Sequence, residues 1–430
     1  MFSIARKNFG FWFWKFSPDP GYNALRTLFF RGQRMNIIDK IIVSFKAREV
    51  RSSVLGIPDN DEIFTKIAAV ILILTLCALA VFSYFNCFDN SDREYLFLNN
   101  TDLLYQLTLL LPDLHFYDSF ALSYTFNVLL YNTILVLAYI FLIKNLNVKM
   151  KWCLVTALFL IVPLSPFYKS FVTFGVSYSM FIAAIFFFMG LFLRLINYEE
   201  NLYDIRKTLF LFVIFSVFLG ITAGIRAFLA LNIPLILTSL YMRFEKSKRP
   251  VILGCISFAA CLTGHIINKI FNFWYSLSLF DYANIDNLIL NLLPKLGECF
   301  INIAGFFGFC SGVSVISISG FLNIAAVIAA GFIIWITYKT LRKTRTDNAP
   351  QFISVFFAVA LVFNIFIFII ASPPVTPRYF IPFLILYIPL CAIFFEHAEN
   401  NYKLKKRIIM ISFFIILILG MGCFNFIYFL

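Results

Sequence analysis

From Lys66 onward the chain alternates between long apolar runs and short polar, mostly basic, interruptions. The first run, 66–85, supplies about 20 residues at about 1.5 Å each, which matches a hydrocarbon core of about 30 Å. The same pattern predicts spanning helices near 122–143, 152–167, 180–196, 251–270, 320–338, 352–371, 380–395 and 408–428. Residues 208–241 are too long for one span and are interrupted at TAGIRA, around Gly224 and Arg226, so they read as two spans joined by an outer turn. About eleven spans result. The third is short, because Pro163 and Pro166 cannot continue a helix.

Two segments fit this pattern differently. Thr101 to Leu111 places Leu103, Leu104, Leu107 and Leu110 on one helical face with Asp102 and Gln106 off it, and Pro112 follows, which predicts an amphipathic helix lying on the outer surface. Residues 299–319 are apolar but rich in Gly and Ser. They read as a re-entrant or interfacial segment, since 320–338 must end at the basic Lys339, Arg342, Lys343 and Arg345.

The basic interruptions orient the chain. Residues 1–62 carry Arg6, Lys7, Lys15, Arg26, Arg31, Arg34, Lys40, Lys46, Arg48 and Arg51 and read as a retained cytoplasmic segment, in which FGFWFWKF at 9–16 suits an interfacial helix. Lys144, Lys149 and Lys151 form a second inner loop, and Lys403, Lys405, Lys406 and Arg407 another. The N-terminus is therefore expected inside and the C-terminus outside. The polar segment 86–119, with Asp89, Asp92, Glu94, Asp102, Asp113 and Asp118, falls on the outer face.

Composition agrees with an all-α membrane protein: 61% of the 430 residues are hydrophobic and 13% charged. The 57 Phe and 20 Tyr suit helix–helix faces and interfacial belts. A net charge of +13 would point to nucleic acid in a soluble protein, but here it sits in loops facing anionic lipid, and no nucleic-acid partner is expected. The nine cysteines include no C-x-x-C pair, and the three histidines are far apart, so no metal centre is predicted. There is no Walker sequence and no GxGxxG. The one D-x-D, Asp59-Asn60-Asp61, reads as a polar lead-in to the first helix.

Outer charges remain once the inner basics are assigned: Lys169, Arg226, His265 with Lys269, and Arg378 with Tyr379. Taken singly, such a cation is explained by snorkelling to water, and His265 by an interhelical hydrogen bond. Asp102 equally suits a helix N-terminus, where a carboxylate complements the dipole. Taken together with the acidic loop they suit one reaction. A carboxylate accepts the proton of an acceptor hydroxyl or amide attacking a sugar carbon, while cations hold a phosphate leaving group.

The order of first span, acidic outer loop with amphipathic helix, Phe-rich spans and the late Pro377, Arg378, Tyr379, Pro382 turn resembles the bacterial branch of the C-type membrane glycosyltransferases. That resemblance implies a polyprenyl-phosphate sugar donor, a glycan, lipid or protein acceptor, and residence in the bacterial inner membrane. It also implies a base at Asp102, with Asp92 and Asp89 as competitors, and a donor-phosphate role for Arg226 and Arg378 assisted by Lys169 or Lys269. A divalent metal is compatible with this chemistry without being required by it. The alternatives are a surface-polysaccharide polymerase, ligase or flippase, and a non-enzymatic membrane scaffold.

Overall fold

The computed structural model describes residues 60–85, 120–162, 177–197, 202–222, 231–242, 248–271, 288–307, 318–343, 348–371 and 384–428, all within one compact unit, Asn60–Leu430. Among these residues the protein is entirely helical. The helices are α1 (Asn60–Phe85), α2 (Phe120–Lys144), α3 (Met150–Ile161), α4 (Ser177–Asn197), α5 (Leu202–Thr222) and α6 (Ile233–Met242), then α7 (Arg249–Phe271), α8 (Leu288–Phe306), α9 (Ile318–Lys343), α10 (Asn348–Ala371), α11 (Tyr387–Asn401) and α12 (Leu404–Tyr428). The predicted amphipathic helix at 101–111 and the interfacial stretch at 9–16 lie outside the described residues.

Three helices contain segments long and apolar enough to cross a membrane: Asp61–Phe82, Arg249–Ile270 and Ala349–Ile367. α1 buries Ala68, Leu72 and Leu79 while Ile67, Val70 and Leu74 are more than half exposed. An apolar face turned outward on this scale suits lipid and not water.

α3 is the hub. It is only 12 residues long, yet every residue from Lys151 to Ile161 is buried, because α1, α2, α11 and α12 surround it. Its end at Val162 follows from Pro163, which disfavours helical backbone in the residue before it. Beneath it an aromatic layer joins four helices. Phe159 packs edge-on against Phe395 and Phe414, and Phe332 stacks on Phe414 with ring centres 4.4 Å apart.

Helix directions follow from paired contacts. Gly220 lies against Cys261 and Ser216 against Ser257, so α5 and α7 run parallel. Asn232 meets Ser257 and Ile236 meets Gly254, so α6 runs against α7. At 10 residues, α6 is about 15 Å long, half a hydrocarbon core. Its first turn is level with the third turn of α7, well short of the far end of α7 at Phe271.

Two segments differ from the sequence expectation. α8 is one continuous helix through Leu288–Phe306 with Pro294 inside it, where the hydropathy pattern divides at 299. α11 continues past the apolar run into the polar Glu396–Asn401 because the carboxylates there are paired, as described next.

Candidate functional site

The best-defined polar constellation gathers at the end of the bundle where α1, α3 and α12 begin and α11 ends. Asp61 stands in the first turn of α1, where a carboxylate complements the positive end of the helix dipole. Its Oδ1 accepts a hydrogen bond from Lys151 Nζ at 2.5 Å. Lys151 Nζ also donates to Glu399 Oε1. The other Glu399 oxygen accepts from the Trp152 indole at 2.8 Å and lies 3.5 Å from Lys149 Nζ, which is 3.6 Å from Asp61 Oδ2. Arg407 from α12 donates to the Glu399 carbonyl oxygen at 3.0 Å. Two carboxylates thus share two ammonium groups and an indole, drawn from α1, the turn before α3, α3 itself and α11.

The sequence pattern places Lys151 in a solvated basic loop, and the structure corrects this: its side chain is 7% exposed. An ammonium that deep is tolerable only when paired and hydrogen-bonded, which Asp61 and Glu399 accomplish. Asp61 leads into the first helix as its sequence implies, and is also one of those partners. Burial alone would raise the Glu399 carboxyl, but hydrogen bonds from Lys151 and Trp152 and both nearby ammonium charges hold it below the usual range. Glu396, one turn earlier, is lifted above its usual range chiefly by burial, against the Lys149 backbone N–H that it accepts at 3.0 Å. Every oxygen and ammonium of the Lys151–Glu399–Asp61 set has a partner, so the cluster joins helices.

A second polar seam runs between α5, α6 and α7. Ser257 Oγ donates to Asn232 Oδ1 at 2.6 Å and lies 3.3 Å from Ser216 Oγ, all three fully buried. Around it α5 and α7 approach until a Cβ on Gly220 would stand 2.0 Å from the Cys261 carbonyl oxygen, and one on Gly264 2.1 Å from the Val217 carbonyl oxygen. Small residues of this kind let membrane helices touch backbone to backbone.

Of the outer-face residues proposed for the site from the sequence, only His265 and Lys269 are described. Asp89, Asp92, Asp102, Lys169, Arg226, Arg378 and Tyr379 lie outside the described residues. His265 and Lys269 occupy successive turns of α7; Lys269 is exposed and His265 half-buried. His265 Nδ1 has no hydrogen-bond partner among the described residues, and neither has Oδ1 of the buried Asn268. These residues lie at the end opposite Lys151. Asn197, at the end of α4, donates to the Asn145 carbonyl beside the Lys149 turn; α5 starts a few residues later, and α7 runs parallel to it. Among the described residues no group of three or more His, Cys, Asp or Glu could hold a metal ion.

Sequence reasoning missed the roles of Lys151, Glu396 and Glu399. Their signal was a lysine immediately before an unbroken apolar run, and two carboxylates three residues apart at the end of another.

Comparison with family models, with characterised proteins and with solved structures gives no match. What fold and site define is a class: a membrane protein helical throughout its described residues, with three helices long and apolar enough to cross a bilayer and a buried lysine paired with two carboxylates at one end.

Proposed function

We propose that this chain is a polytopic membrane glycosyltransferase of about eleven spans, with its N-terminus cytoplasmic and its C-terminus outside, in a bacterial inner membrane. It moves a sugar from a polyprenyl-phosphate carrier to a glycan, lipid or protein acceptor on the outer face. Asp102 takes the proton of the acceptor hydroxyl or amide, with Asp92 and Asp89 as competing bases. The acceptor atom then forms its bond to the anomeric carbon as the bond to the phosphate oxygen breaks, in a single inverting displacement. Polyprenyl phosphate leaves, its charge held by Arg226 and Arg378 with Tyr379, Lys169 and Lys269 nearby.

One observation carries the reading. The far end of α7 holds an exposed Lys269, and there His265 Nδ1 and Asn268 Oδ1 are buried and lack hydrogen-bond partners among the described residues. Uncommitted polar groups at that end are what a site for a phosphate and a hydroxyl-rich sugar requires.

The test uses the full chain in lipid vesicles with a panel of polyprenyl-phosphate hexoses and pentoses, reading release of polyprenyl phosphate. Wild type releases it from at least one donor, and Asp102→Asn abolishes release while the protein remains folded. Release unchanged in Asp102→Asn removes that base, and no release from any donor removes the transferase reading.

A further inference from the structure

We infer that the Lys151 end of the bundle is a permanent closure, so that whatever this protein binds reaches it from the opposite end or sideways from lipid. This inference is independent of the transferase reading.

The closure has two layers. In the outer one, Lys151 is held by Asp61 from α1 and Glu399 from α11, with Lys149 bridging the same carboxylates from the turn before α3 and Arg407 tying in α12. In the inner one, the Trp152 ring lies against Phe64 of α1 and Phe395 of α11, at 6.0 and 5.5 Å between ring centres, and Phe395 continues through Phe159 to Phe414. The indole belongs to both layers, because its N–H is bonded to Glu399.

Alternating access rocks one part of a bundle against another so that both ends open in turn. Here a movement that separated α3 from α1 and α11 would draw the buried Lys151 ammonium away from both of its carboxylates, and would part the aromatic layer in the same step. Breaking a buried pair leaves uncompensated charge and is strongly unfavourable. The junction of α1, α3, α11 and α12 therefore acts as a fixed frame that does not open at this end. A transporter or flippase would need this end to open; an enzyme fed from the opposite face would not.

Cys153, buried with a free thiol immediately inside the closure, reports on it. The experiment uses the full chain in sealed vesicles of either orientation, with Cys153 as the sole cysteine and a membrane-impermeant maleimide as probe. Lys405→Cys, at an exposed position at the same end, supplies the reference rate in a companion protein. We expect Cys153 to label at least 100-fold more slowly than the reference from both sides, and Lys151→Ala to raise its rate at least tenfold from the Lys405 side only. Lys151→Arg, which keeps both ion pairs, stays slow. If Lys151→Ala does not accumulate, Asp61→Asn with Glu399→Gln is read in its place. Wild-type labelling within tenfold of the reference overturns the closure, and so does a folded Lys151→Ala protein that labels no faster than wild type.

Discussion

Lys151 and Glu399 stand 248 positions apart and meet as an ion pair whose side chains are 7% and 14% exposed. The pair joins the hub helix to the penultimate one, and Asp61 extends it to the first. Lys151→Met should remove the nearer ammonium from both carboxylates, leaving them Lys149 and, for Glu399, the Trp152 indole. Removing one partner of a buried pair costs about 3–5 kcal/mol, so Lys151→Met and Glu399→Gln are each expected to lower the thermal midpoint sharply in detergent. The double variant should lose much less than the sum, which a double-mutant cycle on purified protein measures.

The contact between α5 and α7 depends on having no side chain at two positions. Gly220→Ala and Gly264→Ala each drive a methyl into a backbone carbonyl that cannot yield without moving its helix. Overpacking of this kind costs about 1–3 kcal/mol. Gly331→Ala, with nothing within 4 Å of its Cβ, is the matched control and should be neutral or slightly stabilising. Folded yield by size-exclusion chromatography after a heat step separates the three.

The two glutamates of α11 predict opposite pH behaviour. Glu399 is depressed, so its stabilising contribution is fully present above the ordinary value of about 4.3 and is lost as pH falls through its lower folded value. Glu396 is raised, so its charged form weakens the fold at neutral pH, and protonation between the raised value and the ordinary one relieves this. Glu396→Gln should therefore be at least as stable as wild type at pH 7 and lose that advantage below about pH 4.3. Glu399→Gln should be less stable than wild type at pH 7, with the gap narrowing in acid. Thermal midpoints across pH 3–8 are on the order of what is needed to check both signs.

Lys269 separates function from folding. Its side chain is exposed in the last turn of α7, where a cation suits the helix dipole. Lys269→Gln should change stability by no more than about 0.5 kcal/mol. Under the proposed chemistry it should lower the rate of polyprenyl-phosphate release, and an unaltered rate would take Lys269 out of the site.

Most helices were legible because lipid imposes a simple rule: about 20 apolar residues, with every backbone group bonded within the segment. Runs such as 122–143 and 352–371 could hardly be anything else, whereas the span expected over 152–167 ends as α3 at Ile161, just before Pro163. The chemistry was legible only as residue types. His265 and Lys269 were picked out as outer-end polar groups, but that Asn268 shares their situation depends on which face of α7 meets a neighbour. A period of 3.6 residues names the faces without saying which of them is covered.

By itself, then, the sequence determined that this is a helical membrane chain of apolar runs separated by short basic interruptions, since hydropathy and charge are properties of each segment taken alone. Only the tertiary structure decided that Lys151 is buried, that Asp61 and Glu399 are its partners, and that Gly220 and Gly264 tolerate no side chain. Each of those facts depends on segments distant in the chain meeting in space. A lysine beside an apolar run has the same local signature whether it faces water or two carboxylates, and the free energy separating those cases resides in the partner.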